Sequence, residues 1–335
     1  MIFRRRDFTE FDENIVNQAL HQDSAAASSP VSVSAAFANL AAGAVDINFL
    51  PGHAIRFEVS PNYDSLDRRN YFTNRWLCTW ALFAETKRRY PDLVGKCRLW
   101  LDDYPHGPGL AFCGNAVSHV LIPDSVFLET DGYAGTRAST AANWWPWGLR
   151  EEVIFWRGAS TGMRGPLHVQ HWHGLPRFRL CLLAKKAARQ DLFDVRLSRI
   201  VQIWDPTELA EIAASGVTGP EVPPMEFLKY RHSIDIDGNT CSWPGLLTKL
   251  IMGTTIIKVD SQTGYRQWYY DRLLPWVNFV PLSAGMTELE QIAEWLMTHP
   301  EQAFAIGMRG RALADELTTE KVFDDVIPRI RASVQ

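Results

Sequence analysis

The stretch SIDIDGNTCSWPG, Ser233 to Gly245, decides how the chain is read. Asp235 and Asp237 stand two apart after an apolar run, the spacing of a carboxylate pair that could hold a divalent cation. The Gly and small polar residues behind them could instead cradle a phosphate, because glycine lets backbone N–H groups approach an anion. Asp235 precedes Ile236 inside the strand-like SIDI, which weakens the carboxylate-pair reading. Asp237 ends the strand beside Gly238 and shapes the loop. Asn239, Thr240, Cys241 and Ser242 then lead into WPGLLTKLIMG, a helix expected to begin with Ser242 as N-cap and Pro244 in its first turn. Such a helix start presents free N–H groups to an anion.

Outward from this stretch, strand and helix patterns alternate. AIRFEVSP near His53, CRLWL at Cys97, VIFW at Val153, DVRL near Asp194, TTIIKV at Thr254 and VNFVPL at Val277 read as strands. Arg69 to Arg89 reads as one helix with an apolar face of Phe72, Trp76, Trp80 and Phe83. PRFRLCLLAKKAA, PTELAEIAAS and MTELEQIAEWLMTH read as helices, and the tail from Glu301 as two more, the first ending near Leu317. The Ala/Ser-rich segment from Asp23 to Val45 has no clear amphipathic period and reads as loop or weak helix. This alternation predicts an α/β protein with parallel sheets covered on both faces. A length of 335 residues predicts two domains of roughly 150 residues each.

Composition excludes several classes. The chain is 46% hydrophobic and 21% charged, an ordinary globular balance. A formal net charge of -4 supplies no basic field, which argues against nucleic acid as the main partner. Five scattered cysteines without a CxxC pattern indicate neither a disulfide framework nor a zinc site, and fit a reducing cytoplasm. The start, MIFRRRDFTEFDEN, lacks the apolar run of a signal peptide, and no stretch reaches membrane-spanning length, so a soluble chain is expected.

In open α/β sheets, ligands bind at loops leaving the carboxyl ends of strands, which singles out DDYPHGPG, RGASTG, DGNTCSWPG and DSQTGYRQW. Asp102 and Asp103 directly follow a strand; a carboxylate held there suits general base catalysis, with His106 as an alternative base and a solvated turn as the simpler account. RGASTG places Arg157, Gly158 and two hydroxyls after a strand, an anion-site composition without the spacing of a Walker or dinucleotide loop, and equally the composition of a plain turn with a surface arginine. His168, His171 and His173 resemble metal ligands, yet no HExxH arrangement or nearby cysteine supports a zinc site. The aromatic run Tyr265, Trp268, Tyr269, Tyr270 and Trp276 offers either sugar platforms or core.

DDYPHGPG, VIFWRGASTG, YRHSIDIDGNTCSWPGLLTKLIMGTTIIKVDS and QWYYDRLLPWVNFVPL together resemble glycosyltransferase family 90, the lipopolysaccharide-modifying and capsule-associated transferases related to protein O-glucosyltransferases. The likeness runs from about Leu99 to Leu282. It implies a GT-B fold, two Rossmann-like domains facing a cleft. Residues 1–150 would form the acceptor-side domain with an irregular extension, 151–315 the nucleotide-sugar domain, and 316–335 a terminal helix packing back on the first domain.

The resemblance further implies an inverting, metal-independent transferase that takes a UDP-sugar donor and a lipopolysaccharide or capsular glycan acceptor, with no cofactor. By motif, Asp103 would be the base, with Tyr104 and His106 on the acceptor side. Arg157, Gly158 and Thr161 would meet the diphosphate from one side, and the loop of Asp237, Gly238, Asn239 and Ser242 from the other. Pro244 stands where animal members carry an arginine, so Lys249, Lys258, Arg266 or Arg231 is expected to supply the second cation. A lipid-linked acceptor implies peripheral contact of a cytoplasmic enzyme with the inner membrane through Arg4, Arg5 and Arg6, although a solvated end is the simpler account of that triplet. A metal-dependent A-type transferase using Asp235 and Asp237, and a non-catalytic sugar- or nucleotide-binding protein, are the alternatives.

Overall fold

The computed structural model describes residues 5–41 and 43–335 and divides into two compact units. The first comprises the chain to Tyr133, Arg266–Trp268 and Leu317–Gln335; the second comprises Ala134–Tyr265 and Tyr269–Glu316. Arg4 lies outside the described residues.

The first unit is built on a six-stranded sheet of β1 (Ser32–Phe37), β2 (Ala44–Leu50), β3 (Ala54–Val59), β4 (Gly95–Trp100), β5 (Gly109–Ala111) and β7 (His119–Leu121), in the order β1-β3-β2-β4-β5-β7. β6 (Cys113–Gly114) pairs separately with β12 (Arg266–Gln267). This sheet corrects the expectation of parallel sheets throughout, because β2 runs antiparallel to both β3 and β4. It also corrects the reading of the Ala/Ser-rich segment: β1 is an edge strand parallel to β3, and residues Glu13–Ala26 form a helix capped by Asp12. A sequence poor in bulky residues still pairs where its neighbour supplies the apolar contacts. Within β2, the buried Asp46 is neutralised across the sheet by Arg98, whose Nε and Nη2 donate to its two oxygens at 2.7 and 2.9 Å.

The expected single helix from Arg69 to Arg89 is two helices, Leu66–Leu77 and Trp80–Arg89. Thr79 Oγ1 donates to Trp76 O at 2.6 Å and Cys78 Sγ to Arg75 O at 3.1 Å, so side chains compete with the helical pattern at the break. Trp76 and Phe83 still pack against Phe57, with ring centroids 5.2 and 5.9 Å away. Helix Thr319–Ser333 belongs to this unit and ties to helix Trp80–Arg89 through an Arg89–Asp324 ion pair of 2.6 Å. Near the N-terminus, Arg5 pairs with Glu129 and Arg6 with Asp23, which engages both described members of the basic triplet.

The second unit carries the all-parallel sheet that the alternation predicts. Its strands are β8 (Glu151–Ala159), β9 (Phe193–Arg199), β10 (Tyr230–Asp235), β11 (Thr255–Val259) and β13 (Val280–Leu282), in the order β13-β11-β10-β8-β9. Every residue of β11 is buried, as a central parallel strand requires. Ile154, Ile234, Ile257 and Val280 share one core with Phe178 and Leu180 of helix Pro176–Lys186. Chain order reverses between β8 and β10, which makes the loops after these two strands the topological switch point.

Candidate active site

At that switch point, the loop after β8 and the loop after β10 are joined by Arg177 of helix Pro176–Lys186. Its Nη1 donates to Ala159 O at 2.8 Å and to Thr161 Oγ1 at 2.7 Å; its Nε donates to Asp237 O at 2.9 Å and its Nη2 to Ile236 O at 3.1 Å. Gly238 is required by the same packing, since a Cβ there would stand 2.5 Å from Thr161 Oγ1 and 3.2 Å from an Arg177 nitrogen. Sequence reasoning missed Arg177. Its helix, PRFRLCLLAKK, carries four basic residues, so no local signal singled Arg177 out.

Beneath these loops lies a buried charge cluster. Lys249 Nζ donates to Asp235 Oδ1 at 2.9 Å, and Lys258 Nζ lies 3.5 Å from Asp235 Oδ2. Burial pushes the Asp235 carboxyl up, but Lys249 and Lys258 more than reverse this and hold it below its ordinary range. Asp237 differs: burial pushes its carboxyl up to about 6, against the pull of Lys258 and Ser261. Neither Asp237 oxygen nor Lys258 Nζ makes a hydrogen bond among the described residues. Lys258 also lies 4.8 Å from the centroid of the buried Tyr270 ring. Arg177, Lys249 and Lys258 thus set three cations against two carboxylates, an excess that suits an anion.

The helix after this loop spans Pro244–Ile251, and its N-cap is Trp243, which corrects the expectation of Ser242. Pro244 occupies the first helical turn, so the cap falls on the residue before it, and Trp243 takes φ 51°. Ser242 lies beside Asp235 and helps lower its pKa. Asn239 is half-buried in the same loop.

The structure places other expected residues differently. Strand β8 runs through Ala159, so Arg157 and Gly158 lie within it rather than in a loop. Arg157 Nη2 donates to both Asp194 oxygens at 2.8 Å, and its side chain is 7% exposed. Arg231 stands at the start of β10, four residues or about 13 Å of strand from Asp235. There it pairs with Glu152 and donates to Trp147 O and Gly148 O. His171 and His173 are exposed and stack at 5.6 Å, and His168 caps the short helix Arg164–Leu167. Among the described residues no three His, Cys, Asp or Glu side chains gather as metal ligands. Tyr265, Trp268, Tyr269 and Tyr270 are buried, whereas Trp276 is exposed.

In the first unit, Asp103 follows β4 and is half-buried. Arg75 lies 3.4 Å from its Oδ1, donates to Leu101 O, and stacks 4.2 Å from the centroid of Tyr71. Arg75 is a second residue that sequence reasoning missed. Asp102 lies 3.6 Å from the exposed His106 Nε2, and burial raises its pKa against the opposing pull of His106. Gly43 has φ 87°, and a Cβ there would collide with Asp102 Oδ2. Tyr104 is half-buried.

Residues 133–328, more than half of the chain, match Glycosyl transferase family 90. The chain is 30% identical over 91 residues to protein O-glucosyltransferase 2 of Danio rerio, covering 27% of this chain and 17% of that protein. It is 24% identical over 172 residues to the O-glucosyltransferase rumi homolog of Aedes aegypti, covering 51% of this chain and 38% of that protein. Uncharacterized protein 035R of Invertebrate iridescent virus 3 is 26% identical over 172 residues, 48% of this chain and 14% of that protein. The chain therefore spans less than two fifths of the length of each of these relatives. On the family match and the motifs it contains, the chain belongs to glycosyltransferase family 90.

Proposed function

We propose that the chain transfers a sugar from a UDP-sugar to a hydroxyl of a glycan acceptor, in a single displacement that inverts the anomeric carbon. The buried cluster at the β8/β10 switch point carries this reading, because its three cations exceed its two carboxylates where α/β sheets bind phosphates. Lys258 and Arg177 lie at that cluster, with Thr161, Gly238, Asn239 and Ser242 shaping the loops around the leaving diphosphate. Stabilising that departing charge is the main electrostatic task of the reaction. Arg157, paired with Asp194, fixes β8 to β9 on the donor side. Lys249 holds Asp235 ionised.

On the acceptor side, Asp103 takes the proton of the attacking hydroxyl as its oxygen bonds to the anomeric carbon and the sugar–phosphate bond breaks. Arg75 orients that carboxylate. Tyr104 and His106 belong to the same acceptor side. The two units correspond, in this reading, to the two Rossmann-like domains of a GT-B transferase.

A metal is not part of the proposal. Two ammonium groups already meet Asp235, so a divalent cation held by Asp235 and Asp237 would have to displace Lys249 and Lys258. Transfer that persists in excess EDTA is the expected result, and loss of transfer restored by a divalent cation would sink this part. The acceptor is proposed to be lipopolysaccharide or a capsular glycan, reached by a cytoplasmic enzyme at the inner membrane. The relatives' names also make a protein hydroxyl worth assaying in parallel. Among the described residues no helix is long and apolar enough to cross a membrane.

Thermal unfolding with UDP and a panel of UDP-sugars tests the donor. A ligand at 100 times its Kd adds about 2.7 kcal/mol. No shift with any of them would reject the reading.

A further inference from the structure

Two segments of the second unit expose apolar side chains that the roles above leave unused. Trp144 to Leu149 leads into β8, and Leu273 to Val277 leads into β13. In a parallel sheet, segments that precede strands lie at one end, here the end opposite the charge cluster, with β8 and β13 three strand spacings or about 14 Å apart. Trp145, Leu149, Leu274, Trp276 and Val277 are each between 41% and 69% exposed, as is Phe304 of helix Pro300–Glu316. That helix joins the two segments: Phe304 packs on Trp147 with ring centroids 5.5 Å apart, and Arg309 Nε donates to Val277 O at 2.6 Å.

An exposed loop can leave its polar backbone to water, yet these tips are paired within the protein. Arg150 Nε donates to Trp145 O at 3.0 Å, Arg231 Nη2 to Gly148 O at 2.7 Å, and Leu149 N to Pro146 O at 2.9 Å. In the second tip, Val277 N donates to Leu274 O at 3.1 Å, Trp276 N to Phe279 O at 2.8 Å, and Leu274 N to Asn278 Oδ1 at 2.8 Å. A protein partner could supply such hydrogen bonds itself, whereas hydrocarbon cannot, so internal pairing at an apolar tip suits entry into lipid. Each tip also carries a tryptophan, the residue that sits at headgroup level in a bilayer. Glu151 and Glu301 are exposed at the same end as the arginines, so no basic field draws this face to anionic lipid in particular.

We infer that this end of the second unit rests on a phospholipid bilayer, with Trp145 and Trp276 at headgroup depth and the apolar side chains beside them entering the acyl boundary. The inference rests on the membrane contact proposed above and not on the donor. It moves that contact away from Arg5 and Arg6, which pair with Glu129 and Asp23.

Flotation of the full chain with phosphatidylcholine vesicles, with and without phosphatidylglycerol, tests the assignment. The parent is expected to float with both and to stay bound in high salt, because apolar insertion is not screened. Leu149→Ser/Leu274→Ser changes the two most exposed of these positions, so the parent melting temperature and UDP affinity are expected to persist. Its partition into vesicles is expected to weaken at least about tenfold, as two apolar anchors are lost. Equal flotation of parent and variant overturns this surface and leaves the membrane contact standing. Flotation that needs phosphatidylglycerol and disappears in high salt overturns it too, since a charged patch would then make the contact. So does self-association of the parent that the variant loses, which would assign the face to a second copy. A parent that floats with neither vesicle overturns the surface and the membrane contact together, and calorimetric titration of the same sample with UDP shows whether the donor reading survives.

Discussion

Arg177 donates to Thr161 Oγ1 and to the carbonyl of Asp237, binding into one unit two loops that are 76 residues apart in the chain. Arg177→Met removes four hydrogen bonds and leaves the Ala159, Ile236 and Asp237 carbonyls unpaired. Burying unpaired acceptors costs about 1–3 kcal/mol each when no water reaches them. The variant should melt at lower temperature and bind UDP at least tenfold more weakly, with Arg177→Lys recovering part of both. A variant with parent UDP affinity would remove Arg177 from the donor site.

Asp103→Asn should lower kcat by about 10²- to 10⁴-fold, the usual contribution of a general base, with the KM for the donor little changed. Arg75→Gln should fall between that variant and the parent, since the carboxylate loses the guanidinium beside it. If Asp102→Asn abolishes transfer while Asp103→Asn does not, the Asp102–His106 pair is the base.

Lys249→Met strips Asp235 of its hydrogen-bonded partner inside the core. Breaking one side of a buried pair costs about 3–5 kcal/mol, more than replacing both sides. Chemical denaturation of Lys249→Met and of the double variant Lys249→Met/Asp235→Asn should therefore find the double variant the more stable of the two. The reverse order would show that Asp235 is neutral or solvated.

Asp237 gives the stability of the protein a pH dependence. Its carboxyl is raised by burial to about 6. Raised above its unfolded value, it contributes stability that is fully present below about pH 4 and is lost as pH rises through 6. Relative to Asp237→Asn, the parent should lose about 3 kcal/mol of stability between pH 4 and pH 7. Its UDP affinity should also fall more steeply than the variant's over pH 5 to 7, as a negative charge appears beside the anion. Parallel curves for the two proteins would show that Asp237 does not titrate there.

Gly43→Ala tests the loop that holds Asp102. Its positive φ and the collision with Asp102 predict a loss of about 1–3 kcal/mol and a displaced Asp102. Unchanged stability and unchanged transfer would show that the loop yields freely.

Much of the second unit was legible in the sequence, because buried parallel strands such as TIIKV and helices such as PTELAEIAAS carry their periodicity locally. At SIDIDGNTCSWPG the strand through Asp235 and the loop that follows it were also legible, through the apolar run and the glycine after Asp237. The edge strand SVSAAF was not, since its pairing depends on β3 and not on its own side chains. The break at Cys78 and Thr79 was hidden for a related reason, because both residues also occur in unbroken helices.

By itself, the sequence determined the α/β class, the five strands of the second unit's sheet, and the motifs of the family to which the chain belongs. Tertiary structure alone decided which charges face one another. Arg157 turned to Asp194, Arg231 sits at the far end of its strand, and Arg177, which carries no motif, holds the loops after β8 and β10 together. Hydrophobic periodicity is a local property, whereas ion pairing depends on positions that only the folded chain brings within a few ångströms.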